Sequence, residues 1–186
     1  EWKQAAYREG WGMGDTVNLA IGQGYLQVTP LQVARMMSAV ANGGTLYRPY
    51  VVDRVVDSAG NVEPIAQPQA TGRLPISQAN LTTIQEALYA VTTASFGTAK
   101  HRFQGFGIPV AGKTGTAEQS DENALPHSWF AGYFPADDPQ IAMAVLVENA
   151  GEGSTVAAPL FRQVLEGYYG LPITPLPTPA AVPEGD

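Results

Sequence analysis

The stretch Val110-Ala111-Gly112-Lys113-Thr114-Gly115-Thr116-Ala117 sets a lysine ammonium, threonine hydroxyls and a glycine on an apolar segment that reads as a strand. Side chains alternate along a strand, so Lys113 and Gly115 share one face while Thr114 and Thr116 share the other. Gly115 leaves an open surface where another backbone or a ligand can lie. A cation, hydroxyls and free backbone N–H groups beside such a gap suit a substrate that carries a carboxylate and a reacting carbonyl. Taken alone, Lys113-Thr114-Gly115 is more simply a core strand with one snorkelling lysine. Its surroundings decide between the two.

A competing pattern overlaps it. Gly107-Ile108-Pro109-Val110-Ala111-Gly112-Lys113-Thr114 satisfies the Walker A spacing for nucleotide phosphates. A phosphate loop needs a strand before its first glycine and a helix starting at the lysine. Here the apolar residues lie between the glycines, Pro109 stiffens the would-be loop, and Gly115 follows at once. Residues 115 to 128 carry no helical apolar stripe, and no apolar strand ending in aspartate offers a Walker B partner. The nucleotide reading is set aside.

The elements that must position the strand follow from periodicity and capping. Residues up to about Gly24 are rich in glycine and aromatics and read as loop. A helix starts at Thr29, with Pro30 at its first position, Gln32 completing a capping box, and Val33, Met37 and Val40 as its buried stripe. Asn42-Gly43-Gly44 ends it. Val51-Val52 and Val55-Val56, followed by the Ser58-Ala59-Gly60-Asn61 turn, predict a small hairpin, and residues 64 to 75 predict an ordered loop or crossover. A second helix starts at Ser77, with Leu81, Ile84, Leu88 and Val91 on one face. Strands are expected over Pro109–Glu118, His127–Phe134 and Gln140–Glu148, the last two antiparallel through the Ala136-Asp137-Asp138-Pro139 turn. A closing helix over 154–169 is expected to turn Leu160, Val164 and Tyr168 to the sheet, with Trp129, Phe130, Tyr133 and Phe134 packing against it.

Composition limits what this machinery can act on. The chain has 186 residues, a length suited to one ordinary domain, and a hydrophobic fraction of 45% that is enough for a core. Its formal net charge of −7, with no basic block, argues against nucleic acid as a partner. The absence of cysteine excludes disulfide and thiol chemistry, and 2 separated histidines make a metal site an unpromising reading. No cofactor is implied. The longest apolar run, Ile141 to Val147, is far short of a membrane span. Pro172, Pro175, Pro177, Pro179 and Pro183 mark residues 171–186 as a tail expected to be disordered, leaving 1–170 as the folded part.

The lysine strand does not stand alone. Asn18-Leu19-Ala20-Ile21-Gly22-Gln23-Gly24, Thr29-Pro30-Leu31-Gln32, Ala41-Asn42-Gly43-Gly44, Gly97-Thr98-Ala99, Lys113-Thr114-Gly115-Thr116-Ala117 and Trp129-Phe130-Ala131-Gly132-Tyr133 follow one another in an order and spacing that resembles the class B penicillin-binding proteins of the elongation type. The resemblance covers roughly residues 10 to 170. It implies the β-lactamase/transpeptidase-like fold, an α/β (α+β) arrangement in which an antiparallel sheet is flanked by helices. It also implies acyl transfer on D-Ala-D-Ala stem peptides of peptidoglycan, with β-lactams acylating the same serine.

Two of the family's signatures are not found here. No serine is followed by lysine three positions on, and Ser120-Asp121-Glu122-Asn123 is one residue too long for Ser-x-Asn. Both are expected upstream of Glu1, with the first sheet strands, the serine helix and any membrane segment, on the extracytoplasmic face of a bacterial membrane. The chain then corresponds to the C-terminal half of the domain, partnered by the missing N-terminal half and inactive alone. On this resemblance Lys113 adds positive charge beside the serine, and the hydroxyls of Thr114 and above all Thr116 hold the substrate carboxylate. The Thr116 N–H is one oxyanion-hole donor, and Gly115 lets the acyl peptide lie along the strand edge. His127 reaches the cleft rim, although a solvated strand-end histidine is the simpler reading. His101, between Lys100 and Arg102, reads as a solvated turn, and Gly22-Gln23-Gly24 as a structural turn near the site floor. The alternative is a non-catalytic penicillin-binding or β-lactam-sensing module of the same fold. In the isolated chain, the apolar residues of Val110–Ala117 and Ile141–Val147 are expected to be exposed.

Overall fold

The computed structural model describes residues 1–64, 67–119, 121 and 123–177. The chain runs through α1 (Trp2–Tyr7), α2 (Met13–Ala20), α3 (Pro30–Ala41), β1 (Thr45–Tyr47), β2 (Arg54–Val56), β3 (Val62–Pro64) and β4 (Ala70–Arg73). It continues through α4 (Gln78–Thr93), α5 (Lys100–Phe103), β5 (Ala111–Ala117), β6 (His127–Phe134), β7 (Ile141–Val147) and α6 (Ala157–Tyr168). This is the expected α/β class, with antiparallel strands flanked by helices.

The alternation of β6 organises the sheet. Strands β5, β6 and β7 form a 3-stranded antiparallel sheet in that order, with Lys113 opposite Ala131 and Phe130 opposite Val145. Central β6 sends Phe130 and Phe134 to one face and Ala131 and Tyr133 to the other, and each face acquires its own core. On the first, Phe130 meets Phe161 of α6 edge-on with ring centroids 4.7 Å apart, and Phe134 meets the same ring at 5.9 Å. Phe103 and Val110 complete this cluster. On the second, Tyr133 and Ala131 pack with Met37 and Val40 of α3 and Leu81 and Leu88 of α4. Gly112 is required by the first packing, because a Cβ there would lie 2.7 Å from the Phe130 ring.

The expected aromatic group is therefore divided between faces. Phe130 and Phe134 pack on α6, Tyr133 lies in the opposite core, and Trp129 is half-buried beside Gly115. The closing helix is also rotated from its expected face. Ala158, Phe161 and Leu165 are fully buried, whereas Val164 and Tyr168 are exposed. Both stripes have helical spacing, but Phe161 presents the aromatic ring that fits among Phe103, Phe130 and Phe134.

Helix α3 matches its sequence signals. The Thr29 side chain accepts from the Gln32 N–H, and the Gln32 side chain accepts from the Thr29 N–H, closing the capping box. In α4 the Ser77 cap and buried Leu81 and Leu88 are as expected, but Ile84 is exposed. Inward positions between and beyond the leucines belong to polar residues tied to carbonyls: Gln85 donates to Val40 at 2.7 Å and Thr92 donates to Val110. An apolar stripe cannot reveal such positions.

Other departures have similar causes. The segment read as loop contains α1 and α2, and the buried member of α1 is Lys3. Its ammonium donates to Asp15 at 2.7 Å and lies 5.0 Å from the Tyr25 ring centre. Strand β4 lies within the stretch read as a crossover and pairs with β1, held by Arg35 on the Tyr47 carbonyl and the Thr71 hydroxyl, and by Arg73 on the Gly43 carbonyl. Ile65 and Ala66 of that stretch lie outside the described residues. The small hairpin exists as β2 and β3, but Val51 is fully exposed and Val52 half exposed, both before the strand begins. The apolar residues expected to be exposed are instead covered: Val110 and Ala111 are buried and β7 is half-buried along its length. Exposed apolar side chains cluster in the N-terminal segment, where Met13 is 81% and Ile21 72% exposed.

The start of the proline-rich tail is anchored. Glu166, 2% exposed, accepts from the Thr174 N–H at 2.7 Å, the Thr174 hydroxyl at 2.6 Å and Arg162 Nε at 2.7 Å. The Leu171 N–H donates to the Glu166 carbonyl, so residues 171–177 follow α6 closely. Residues 178–186 of the expected tail lie outside the described residues. Burial alone would raise the Glu166 carboxyl, but the bonds from Thr174 and Arg162 outweigh it and hold the group below its ordinary value. A depressed carboxyl stabilises the fold fully above the unfolded-state value, and this contribution is lost as pH falls through the folded-state value. Urea midpoints of the protein should therefore fall between about pH 6 and about pH 3, and fall less in Glu166→Gln. At neutral pH that variant should be less stable by about 1–3 kcal/mol. Parallel pH curves for the two proteins would show that Glu166 is not the group responsible.

Candidate active site

Among the described residues strand β5 leaves one of its edges unpaired, since it ends the 3-stranded sheet and its other edge carries β6. Gln23 crosses to this edge and donates through Nε2 to the Thr116 carbonyl at 3.0 Å. In an antiparallel strand the N–H and C=O of one residue point to the same side. Because the Thr116 carbonyl is taken by Gln23, the Thr116 N–H faces the same open edge. Gly22 and Gly24, with φ of 77° and 82°, form the turn that presents Gln23. The turn assigned to the site floor thus binds directly to the strand.

Lys113 and Thr116 are both exposed, Thr114 and Gly115 half-buried. The Lys113 ammonium folds along the edge and donates to the Thr114 carbonyl at 2.8 Å. The Thr114 hydroxyl is 2.9 Å from that of Thr98, which links the Gly97-Thr98-Ala99 turn to β5. Thr114 is thus engaged with its neighbour, while the Thr116 hydroxyl has no partner among the described residues. Lys113 and Thr114 stand within a strand, so the Walker A spacing does not begin a helix here.

Gly115 is enclosed rather than open on its faces. Its own Cβ would lie 3.1 Å from Trp129 Cβ, and across the strand the backbone of Gly153 presses against it. A Cβ on Gly153 would come within 2.2 Å of the Trp129 carbonyl oxygen and 2.5 Å of that of Gly115. The backbone that lies against Gly115 belongs to the chain itself. A ligand can reach β5 along the open edge.

His127 pairs with Ala117 at the far end of β5. Its Nδ1 accepts from the Asn149 N–H at 3.1 Å, which leaves the proton of the neutral ring on Nε2. Asn149 stands at φ 53° and accepts through Oδ1 from Gln119, which also donates to the Leu125 carbonyl. His127 is therefore held toward the loop after β7, and among the described residues no hydrogen bond joins it to Lys113 or Thr116. His101 belongs to α5, outside this edge. Among the described residues no group of His, Cys, Asp or Glu is arranged to hold a metal, and no helix is long and apolar enough to cross a membrane.

Sequence reasoning gave Thr98 and Gly153 no role at the strand. Thr98 carries a usable signal, a hydroxyl between small residues just before α5. Gly153 carries none, because its need for a missing side chain arises only when the loop returns over β5 and β6.

An antiparallel sheet flanked by helices, with Lys-Thr-Gly on its open edge strand, defines a penicillin-binding transpeptidase fold. The chain belongs to that family: the penicillin-binding protein transpeptidase domain matches residues 3–166. It is 35% identical over 182 residues to the peptidoglycan D,D-transpeptidase MrdA of Haemophilus influenzae, covering 90% of this chain and 28% of the relative. Penicillin-binding protein 2 of Pseudomonas aeruginosa superposes with a TM-score of 0.78 at 33% identity, covering 98% of this chain and 38% of that one. Penicillin-binding protein A of Mycobacterium tuberculosis, as an imipenem acyl-enzyme complex, gives 0.68 at 31% identity, over 82% of this chain and 33% of that one. The chain thus spans between 28% and 38% of the length of these three relatives.

Gly153→Ala in the full-length protein should lower stability by about 3 kcal/mol, at the upper end for overpacking, and speed hydrogen exchange at the Gly115 and Thr116 amides. Wild-type stability with unchanged exchange would show that the loop does not press on the strand.

Proposed function

We propose that this chain forms the Lys-Thr-Gly side of the active site of a peptidoglycan D,D-transpeptidase. The observation that carries the reading is the open edge of β5, where Gln23 fixes the Thr116 carbonyl and leaves the Thr116 N–H facing outward. In this reading residues 1–170 are the C-terminal part of the transpeptidase domain. The N-terminal part supplies the nucleophilic serine and its lysine, and an upstream segment holds the protein on the extracytoplasmic face of the membrane.

The serine Oγ attacks the carbonyl carbon of the D-Ala-D-Ala bond. The C–N bond breaks, terminal D-Ala leaves as the amine, and an acyl-serine remains. An amine from a second stem peptide then attacks that ester and regenerates the serine. A β-lactam enters the first step only, because its opened ring stays attached and occupies the space needed by the amine. Negative charge develops on the carbonyl oxygen in both attacks. The Thr116 N–H meets that charge with a donor fixed before reaction, so no reorganisation is needed as it appears.

Lys113 places a positive charge at the same edge. Swinging away from the Thr114 carbonyl would bring its ammonium to the serine or the substrate carboxylate, where exclusion of water strengthens its field. The Thr116 hydroxyl is available to the carboxylate, whereas Thr114 is engaged with Thr98 and serves better to hold the strand. The acyl peptide adds to the free edge of β5 as a further strand. His127, fixed from behind by Asn149, can offer only its Nε2–H to a ligand at the rim.

In the full-length protein, Lys113→Ala should slow acylation by a fluorescent penicillin by about a hundredfold with little change in folding. Acylation at the wild-type rate would remove Lys113 from the mechanism. Thr116→Val keeps the backbone N–H and removes only the hydroxyl. It should weaken capture of carboxylate-bearing β-lactams by about tenfold, with a smaller loss for analogues in which the carboxylate is esterified. Equal losses for both would exclude the carboxylate contact.

A further inference from the structure

A cavity of about 790 Å³ opens at the end of β5 opposite the Gln23 contact, between α4, the loop that follows α5 and the β6–β7 turn. It begins at Val110, about 20 Å along the strand from Thr116. Its size lies in the range of small-molecule sites. Apolar walls come from Phe106, Ile108 and Pro139.

The polar groups around it are unbalanced. Tyr133 is 1% exposed and its hydroxyl has no hydrogen-bond partner among the described residues. No fully sealed side-chain polar atom lacks a partner among those residues, so this hydroxyl reaches open space, and the space it lines is the cavity. Gln85 uses one amide N–H on the Val40 carbonyl, which leaves its second N–H and the Oε1 acceptor for the cavity. Glu86 and Asp137 add carboxylates at the rim, and no Lys, Arg or His lines the cavity. The hydroxyls of Thr92 and Thr93 already donate, to the Val110 and Tyr89 carbonyls. The Tyr89 hydroxyl, the Tyr133 hydroxyl and the second Gln85 N–H are the free side-chain donors, and with both carboxylates counted the side-chain acceptors outnumber them on an apolar, negatively charged wall.

We propose that this cavity binds a small organic cation, a primary ammonium or amidinium on a flat apolar body. Its N–H groups would meet Tyr133 Oη, Gln85 Oε1 and the rim carboxylates, while the body lies against Phe106 and Ile108. Charge complementarity selects this class, because an anion would face two carboxylates with no compensating cation. Burial raises the Tyr133 phenol, so the hydroxyl stays neutral and can also accept. The site is separate from the open edge of β5 and does not rest on the transpeptidase reading.

The test titrates the full-length protein with 2-phenylethylammonium, followed by ligand-observed NMR and by crystal soaking. Phenylacetate, with a similar body and opposite charge, is the control. The ammonium should occupy the cavity and bind at least about tenfold more tightly than phenylacetate, the scale of one charge-assisted hydrogen bond. Tyr133→Phe removes only the hydroxyl, and exposed Glu86→Gln removes a charge without touching the core. Each should weaken the ammonium severalfold and leave phenylacetate no weaker. Prior acylation by a β-lactam should leave the ammonium's affinity unchanged. Water alone in the cavity, equal binding of the two probes, or binding indifferent to both variants would overturn the proposal.

Discussion

Burial of β6 on both faces is the constraint from which the other positions follow. A strand polar on both sides can slip with little loss, and each buried face raises that cost. Here Phe130 and Phe134 are committed to Phe161 while Ala131 and Tyr133 are committed to α3 and α4. A one-residue slip would carry all four to the wrong core. Strand β5 inherits its register from β6, so Lys113 lies opposite Ala131 and Thr116 opposite Ser128. The reactive-looking groups themselves contribute little to this arrangement. They stand on an edge whose height and tilt are set by aromatic rings in the layer behind.

The same layering explains how a polar edge persists on an apolar sheet. Thr116 and Lys113 are exposed while Ala111 and Gly112, at the start of the same strand, are buried. Beyond Gly112 polar ties take over. Gln23 holds the Thr116 carbonyl, and Thr98 holds the Thr114 hydroxyl. Each tie comes from a short glycine-containing turn rather than from a regular element. Turns of this kind cost backbone entropy, but they let a side chain approach a strand edge without adding another strand.

Much of this was legible in the residues. The bounds of β6, the antiparallel turn into β7, the caps of α3 and α4 and the lysine strand follow from alternation, capping and turn chemistry. What was hidden falls into two kinds. In α1 and along α4 the inward positions are filled by Lys3, Gln85 and Thr92, whose burial depends on partners distant in sequence. A hydropathy pattern registers such residues as surface. In α6 two stripes share one period, and the choice of Phe161 over Val164 depends on ring shape in the opposing sheet. At the site, the Lys-Thr-Gly strand was readable from type and spacing, but the pressure of Gly153 on Gly115 and the hold of Asn149 on His127 were not. Both arise from a loop whose sequence alone looks unremarkable.

That loop, from Asn149 to Val156, has a surface location and a fixed length. Asn149 grips His127, the Ala150 and Gly151 N–H groups both donate to the Pro126 carbonyl, and Gly153 fills the space over Gly115. Ser128 then donates to the Glu152 carbonyl while accepting from the Ala157 N–H, so the loop ends where α6 starts. Every second or third residue is measured against a neighbouring strand, and an added residue would put the later contacts out of phase. The turn from Asp57 to Asn61 is different, because the Asp57 side chain and its own neighbours satisfy one another. Evolutionary change in chain length should therefore accumulate at the small hairpin and be nearly absent between Asn149 and Val156, although both are drawn as loops.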